Sequence, residues 1–375
     1  MKPLFAGCFI ILLLLLDVTH HVESRHHDDR RRGRGDDDIS PDHRRRGRDD
    51  DEPVYKLFVF GDAAADNGNY PNPGLNQGSR AWYYPYGMSD VDNDNLPSGR
   101  FSNNMVQPDF LGKILGYDES PPPYADYKPG RRSNRIDPSG MNFANASAYA
   151  WYGAPKIREQ VDQFRSLITD GAITKRDLED SVALIAFNGL DYGLITDAAS
   201  DFEVHIANMM MMMMIRSFAS TVTDEMVRMV AQLQDLGVSK VLVNTVPPLG
   251  CTPWTTSRFT NYQHCDQRAN SYSDAHNRYL ADKLGNKDDV MLLDVNRIMN
   301  DLLQSSKFQE LMKPCCAAKD LNGYCGQYTA DHQQQFTVCR DPDQYLYWDF
   351  IHPTHAGWKA IMQKLQSPIE DFLGI

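Results

Sequence analysis

Near the end of the chain, Asp349-Phe350-Ile351-His352-Pro353 places a carboxylate three residues before an imidazole. An Asp at that spacing can hydrogen-bond one ring nitrogen, which fixes the tautomer and frees the other nitrogen as a general base. The same spacing also suits a helix start, with Asp349 near the cap position and His352 on the surface. A base of this kind needs a nucleophile to activate. In a chain of alternating strands and helices, the loop after the first strand is the place to look. That loop reads Gly61-Asp62-Ala63-Ala64-Ala65, and no Ser, Thr or Cys lies between Gly61 and Ser79.

Other groups that could do chemistry are fewer. Seven cysteines are present; Cys8 lies in the apolar leader, leaving Cys251, Cys265, Cys315, Cys316, Cys325 and Cys339. None has zinc-ligand spacing with partner histidines, and six in an oxidising compartment read as disulfides with 15 open connectivities. Six methionines run from Met209 to Met214 beside Ile206, Ile215 and Phe218, which suits a core or loosely packed helix with one buried face. No His or Cys cluster surrounds them to support copper. Asn145-Ala146-Ser147 is an N-glycosylation sequon, which can also go unused. No cofactor and no metal is expected.

The elements that must position these residues are legible from Pro53 onward. Val54 to Phe60, Val182 to Phe187, Val241 to Val243 and Val290 to Val295 are short apolar strands. Asp224 to Leu236 and Asp266 to Leu284 are helical stretches between them. Strands alternating with helices imply parallel pairing, with helices on both faces of one open sheet. Functional residues then collect at the carboxyl ends of the strands. Asn67 to Ser139, rich in Pro, Gly, Asn and Tyr, is a long excursion over that edge.

The first 52 residues belong to no fold. Lys2 precedes an unbroken apolar run from Leu4 to Leu16, ended by Asp17, with Val22-Glu23-Ser24 before a cleavage point. A run of 13 residues is too short to span a bilayer, so residues 1–24 read as a secretory leader, with a short membrane anchor as the alternative. Residues 25–52 repeat Arg blocks followed by Asp blocks, and with almost no apolar side chains they read as a solvated, disordered tail. The tail could also contact anionic glycans, a protease or a protein partner. The expected location is extracellular, with an internal compartment (endoplasmic reticulum or vacuole) as the alternative. A net charge of −12 over 375 residues argues against nucleic acid as a partner. No other stretch is long and apolar enough for a transmembrane segment.

Five blocks in order carry a resemblance. Phe58-Val59-Phe60-Gly61-Asp62 with Asp66-Asn67-Gly68-Asn69 comes first, then Pro97-Ser98-Gly99-Arg100-Phe101-Ser102-Asn103. Met141-Asn142-Phe143-Ala144, Val246-Pro247-Pro248-Leu249-Gly250-Cys251 and Tyr347-Trp348-Asp349-Phe350-Ile351-His352-Pro353-Thr354 follow. Together they resemble the plant GDSL esterase/lipases of the SGNH hydrolase superfamily over nearly all of residues 53–375. The resemblance implies a flavodoxin-like three-layer α/β/α sandwich with a mostly parallel sheet, and ester hydrolysis by a Ser nucleophile with an Asp–His pair.

By that resemblance Asp349 and His352 match the family's Asp and His, whereas Ala63 occupies the nucleophile position. The family's oxyanion glycines correspond to Ala146 and Ser147, and its oxyanion Asn to Leu190 of Asn188-Gly189-Leu190-Asp191. An alkyl side chain donates no hydrogen bond to a developing oxyanion. The expected protein is therefore a secreted, catalytically silent relative that binds an acyl ester, an acylated glycan or a protein. Two alternatives are a weak carboxylesterase in which His352 activates water, and a structural secretory-pathway protein that acts through residues 25–52.

Overall fold

In β1 (Lys56–Gly61), Phe58 and Phe60 face one side, Leu57 and Val59 the other, and all four are fully buried. A strand buried on both faces needs covering layers on both, which is the habit of parallel sheets. The computed structural model describes residues 55–129, 135–151, 153–196 and 206–375, with side chains left aside for 194–196 and 206–211. The expected leader (1–24) and charged tail (25–52) lie outside the described residues.

β1 pairs in parallel with β2 (Gly140–Asn142) on one side and β3 (Ser181–Ala186) on the other, and β4 (Lys240–Asn244) and β5 (Val290–Leu293) continue the sheet. The strand order 2-1-3-4-5 is that of a flavodoxin-like sheet, as expected, with its switch point between β1 and β3. Phe58, Phe60, Ile185 and Val243 pack into a core with α2 (Ile157–Thr169), α5 (Ile206–Asp235) and α7 (Gln267–Leu284). Leu57, Val59, Leu184 and Leu242 pack opposite them with α1 (Gln107–Ile114), α8 (Val295–Leu303) and α9 (His355–Leu373). Shorter helices α3 (Lys175–Glu179), α4 (Leu190–Thr196) and α6 (Pro253–Phe259) fill the connections.

Several boundaries differ from the sequence reading. The last strand stops at Leu293 because Asp294 caps α8, its carboxylate accepting from the Arg297 N–H. The helix expected from Asp224 is the second half of the 30-residue α5. In the methionine run, Met212 to Met214 are exposed, and Ile215, Ala219 and Val222 carry the buried face instead. Those methionines are therefore not core.

Two small parallel and antiparallel pairs, β6 (Glu310–Pro314) with β9 (Tyr345–Tyr347) and β7 (Cys316–Ala318) with β8 (Phe336–Val338), lie outside the main sheet. The six cysteines resolve into Cys251–Cys265, Cys315–Cys339 and Cys316–Cys325. The N–H groups of Cys315 and Cys316 donate to the carbonyls of Tyr347 and Trp348 at 3.0 and 2.6 Å. The disulfide-bonded hairpin thus holds the segment that delivers Asp349. Among the described residues, no helix is long and apolar enough to cross a membrane.

Candidate functional site

The Asp349–His352 turn precedes α9 rather than entering it: Thr354 is the N-cap, its hydroxyl accepting from the Gly357 N–H. His352 is buried, which overturns the surface-His alternative. Its Nδ1 lies 2.8 and 2.9 Å from the two carboxylate oxygens of Asp349. With Asp349 ionised, Nδ1 carries the proton and donates, and Nε2 is left with the lone pair. Asp349 Oδ1 also accepts from the N–H groups of Ile351 and His352, at 2.9 and 2.8 Å.

Two partners of Asp349 escaped the sequence reading. Tyr86 donates its hydroxyl to Oδ2 at 2.8 Å, and Arg80 donates to the same oxygen at 3.2 Å. Arg80 Nε also donates to the Tyr86 oxygen, so the three groups close a ring of hydrogen bonds. Burial opposes ionisation of Asp349, but the His352 ring and the Arg80 guanidinium beside it outweigh burial and hold the carboxyl well below the usual range. Separations of 269 and 263 residues leave no local pattern that announces either partner.

The second block shows what its residues do. Arg100 grips Asp109 at the start of α1 with two hydrogen bonds of 3.0 and 2.9 Å. Phe101 packs its ring 4.9 Å from that of His352, and Ser102 donates its hydroxyl to the Pro353 carbonyl. Arg80 also lies over the Phe101 face, 4.8 Å from its centroid. One loop of the excursion thus orients the imidazole from the far side.

On the β1 side, the strand must end at a glycine. A Cβ at Gly61 would sit 2.1 Å from the Ala186 carbonyl oxygen, and its φ of +151° already disfavours a side chain. Gln160 pins this residue from α2, accepting from its N–H and donating to its carbonyl, both at 2.8 Å. A buried Gln in the Ile157, Val161, Phe164 stripe was the available signal. Asp62 then accepts from the N–H groups of Ala64 and Asn188, tying the loop after β1 to the loop after β3. Ala63 packs against the cluster that includes Phe101 and Trp348, so a methyl group stands beside the aromatic wall of the imidazole.

The loop Asn145-Ala146-Ser147 is held from within. Asp66 accepts from Gly68, Asn69 and Tyr70, and also from the Ala146 N–H at 2.7 Å. The Ser147 N–H donates to Asn145 Oδ1 at 3.2 Å. The N–H groups of Ala146 and Ser147 are thus both engaged within the protein. Leu190 is half-buried at the start of α4, and its neighbour Asp191 accepts from Ala150 and Trp151. Asn145, the sequon residue, is half-buried, and its N–H donates to the Gly61 carbonyl.

Two of these carboxylates make stability depend on pH. Burial pushes Asp62 and Asp66 up to about 6, although their backbone donors pull the other way. Each folded state therefore holds its proton more tightly than the unfolded chain. Their stabilising contribution is full below about pH 4 and is lost as pH rises through 6, by up to about 3 kcal/mol for each. Asp349 acts in the opposite sense, its contribution present above about pH 4 and lost only below it. His276, which burial pushes down to about 3, opposes them, because below its ordinary value only the unfolded chain takes up its proton. The test therefore compares the parent with Asp66→Asn, in which the stability lost between pH 4.5 and pH 7.5 should shrink, and an unchanged pH dependence contradicts the assignment.

An apolar crevice opens beside the imidazole turn, lined by Pro247, Leu249, Ile351 and Pro353, with Asn188, Tyr347 and Trp358 also in its wall. Asn188 Oδ1, the Tyr347 hydroxyl and Trp358 Nε1 are buried without a hydrogen-bond partner among the described residues. Such groups cost roughly 1–3 kcal/mol each when left unpaired.

With this geometry in place, the family comparison gives a clear answer. The GDSL-like Lipase/Acylhydrolase model matches residues 57–365. A GDSL esterase/lipase of Arabidopsis thaliana is 30% identical over 336 residues, covering 84% of this chain and 86% of its own. A second from the same plant is 29% identical over 338 residues, 85% of this chain and 96% of the relative.

Proposed function

This chain belongs to the GDSL-like lipase/acylhydrolase family, and from that premise we propose that it binds an acyl ester without hydrolysing it. The observation that carries the reading is Ala63 in the loop after β1, set against a fully assembled Asp349–His352 pair. The oxyanion side supports it: the Ala146 and Ser147 N–H groups are engaged internally, and Leu190 offers an alkyl group where a donor is needed.

The crevice supplies the binding element. Its walls are apolar but its free volume is only about 10 Å³, room for a single water, so an acyl chain enters as the Ile351 rim moves outward. An ester group then offers two oxygens to the unpaired donors of Tyr347 and Trp358. An acyl ester, free or carried on a glycan, is thus the ligand class that suits both halves of the crevice. The three disulfides suit the oxidising secretory pathway proposed for the chain, with residues 1–24 as its leader.

Equilibrium dialysis with methyl octanoate tests the proposal. The ligand should be recovered intact, and its affinity should survive His352→Ala, because the imidazole contributes chemistry rather than crevice wall. Ile351→Asp, which places a charge on the apolar rim, should weaken binding at least ten-fold, about 1.4 kcal/mol. Equal retention by the parent and Ile351→Asp would refute the crevice assignment.

A further inference from the structure

The turn from Val246 to Cys251 has two sides, and only one belongs to the crevice. Pro247 and Leu249 face the imidazole turn, whereas Pro248 and Cys251 line a separate cleft of about 430 Å³. That volume lies in the range of small-molecule sites, about 300–1,000 Å³. The cleft runs between α7 and α8, beyond the carboxyl ends of β4 and β5 where open α/β sheets place ligands.

The helix faces that meet there are amide-rich. α7 presents Gln267, Asn270 and Asp274, spaced i, i+3 and i+7; α8 and the residue after it present Asn296, Asn300 and Gln304, spaced i, i+4 and i+8. Each set therefore forms one stripe down its helix. Two of the amides are fixed in place. Asn270 Oδ1 accepts from the Gly250 N–H at 2.8 Å, and Asn296 Nδ2 donates to the Val246 carbonyl at 2.8 Å. The approach at Gly250 is so close that a Cβ there would lie 1.9 Å from the Asp266 carbonyl oxygen. The Cys251–Cys265 disulfide ties the turn to the residue preceding the α7 cap.

Other polar groups in the cleft remain unspent. The side chains of Gln267, Asp274 and Gln304 make no hydrogen bond to protein among the described residues, and Asn300 uses only its Nδ2, leaving Oδ1 free. Leu303, Met312 and the disulfide add a limited apolar surface. No Lys or Arg lines the cleft, and Asp274 shares the lining with His264, the one side chain there that can carry a positive charge, so the lining disfavours a phosphate or a uronate. Its polarity equally excludes an acyl chain. Vicinal hydroxyls, each both donor and acceptor, match amides that carry both functions, while the C–H face of a sugar ring suits the Leu303–Met312 side.

We propose that this cleft is a binding site for a neutral saccharide, distinct from the crevice beside His352. The test is titration of the full mature protein with cellobiose, xylobiose and digalacturonate, read by calorimetry and by saturation-transfer NMR. At least one neutral disaccharide should saturate with a Kd of about 0.1–5 mM, and digalacturonate should bind more weakly. Asn300→Leu should weaken that binding at least ten-fold. Gln304→Leu, at an exposed position after α8, should weaken it at least three-fold and provides the check if Asn300→Leu unfolds. Retention of methyl octanoate should be unchanged in both variants, which separates this site from the crevice. The proposal is overturned if neither neutral disaccharide saturates by about 50 mM, if digalacturonate binds more tightly, or if the folded leucine variants bind like the parent.

Discussion

Ala63→Ser alone is expected to leave the protein nearly silent towards p-nitrophenyl butyrate, and Ala63→Ser combined with Leu190→Asn to hydrolyse it about 10²–10³-fold faster than that single variant. The difference follows from what each change restores. A hydroxyl at residue 63 gives His352 something to deprotonate, since Asp349 already sets the tautomer at 2.8 Å. It does nothing for the charge that develops on the carbonyl oxygen. The two backbone N–H groups that the resemblance aligns with the oxyanion loop are held elsewhere, that of Ala146 by Asp66 and that of Ser147 by Asn145. A side-chain amide at 190 is the one missing donor that a single substitution can return. The parent itself should release nitrophenol no faster than His352→Ala does. Parent turnover that vanishes in His352→Ala would sink the proposal of silence and point to water activated by the imidazole. Equal rates for the single and double variants would show instead that residue 190 does not face the oxyanion.

What the sequence disclosed, and what it hid, follows from the range of the interactions. Val54 to Phe60, Val182 to Phe187 and Val241 to Val243 were readable as strands because a doubly covered strand is a short apolar run, and β1 does run from Lys56 to Gly61. β2 was not, because three residues, Gly140–Asn142, carry no period; their strand character comes from the carbonyls of β1. The Asp349–His352 contact was legible because its spacing is local. Tyr86 and Arg80, which complete it, come from a loop more than 260 residues away and match no motif. The disulfide pairing was equally closed to inspection, since Cys315 and Cys316 are adjacent and choose different partners only through the β7–β8 hairpin. Ala63 and Leu190 are singled out by resemblance alone, because an alkyl side chain carries no chemistry that a single sequence can point to.

A retained Asp–His pair without a nucleophile calls for a physical reason, and Asp349→Ala should expose it by lowering stability by about 3–5 kcal/mol at neutral pH. The carboxylate accepts from the His352 ring, Tyr86, Arg80 and two backbone N–H groups. Its removal leaves the Arg80 guanidinium, only 12% exposed, without its counter-charge among Tyr86 and Phe101. An uncompensated buried charge is among the few defects that cost this much. His352→Ala is a different perturbation, because Asp349 keeps Arg80, Tyr86 and the Ile351 N–H; its cost should be about 1–3 kcal/mol. Urea unfolding of both variants at pH 7 measures the gap. A pair serving only proton transfer would lose little stability from either change, so an Asp349→Ala loss below about 1 kcal/mol would remove the structural explanation. With a loss in the expected range, Asp349 is a node joining the 80–101 loop to the turn before α9. The fold then holds the Asp349–His352 geometry in place for reasons of stability, whatever residue 63 contributes.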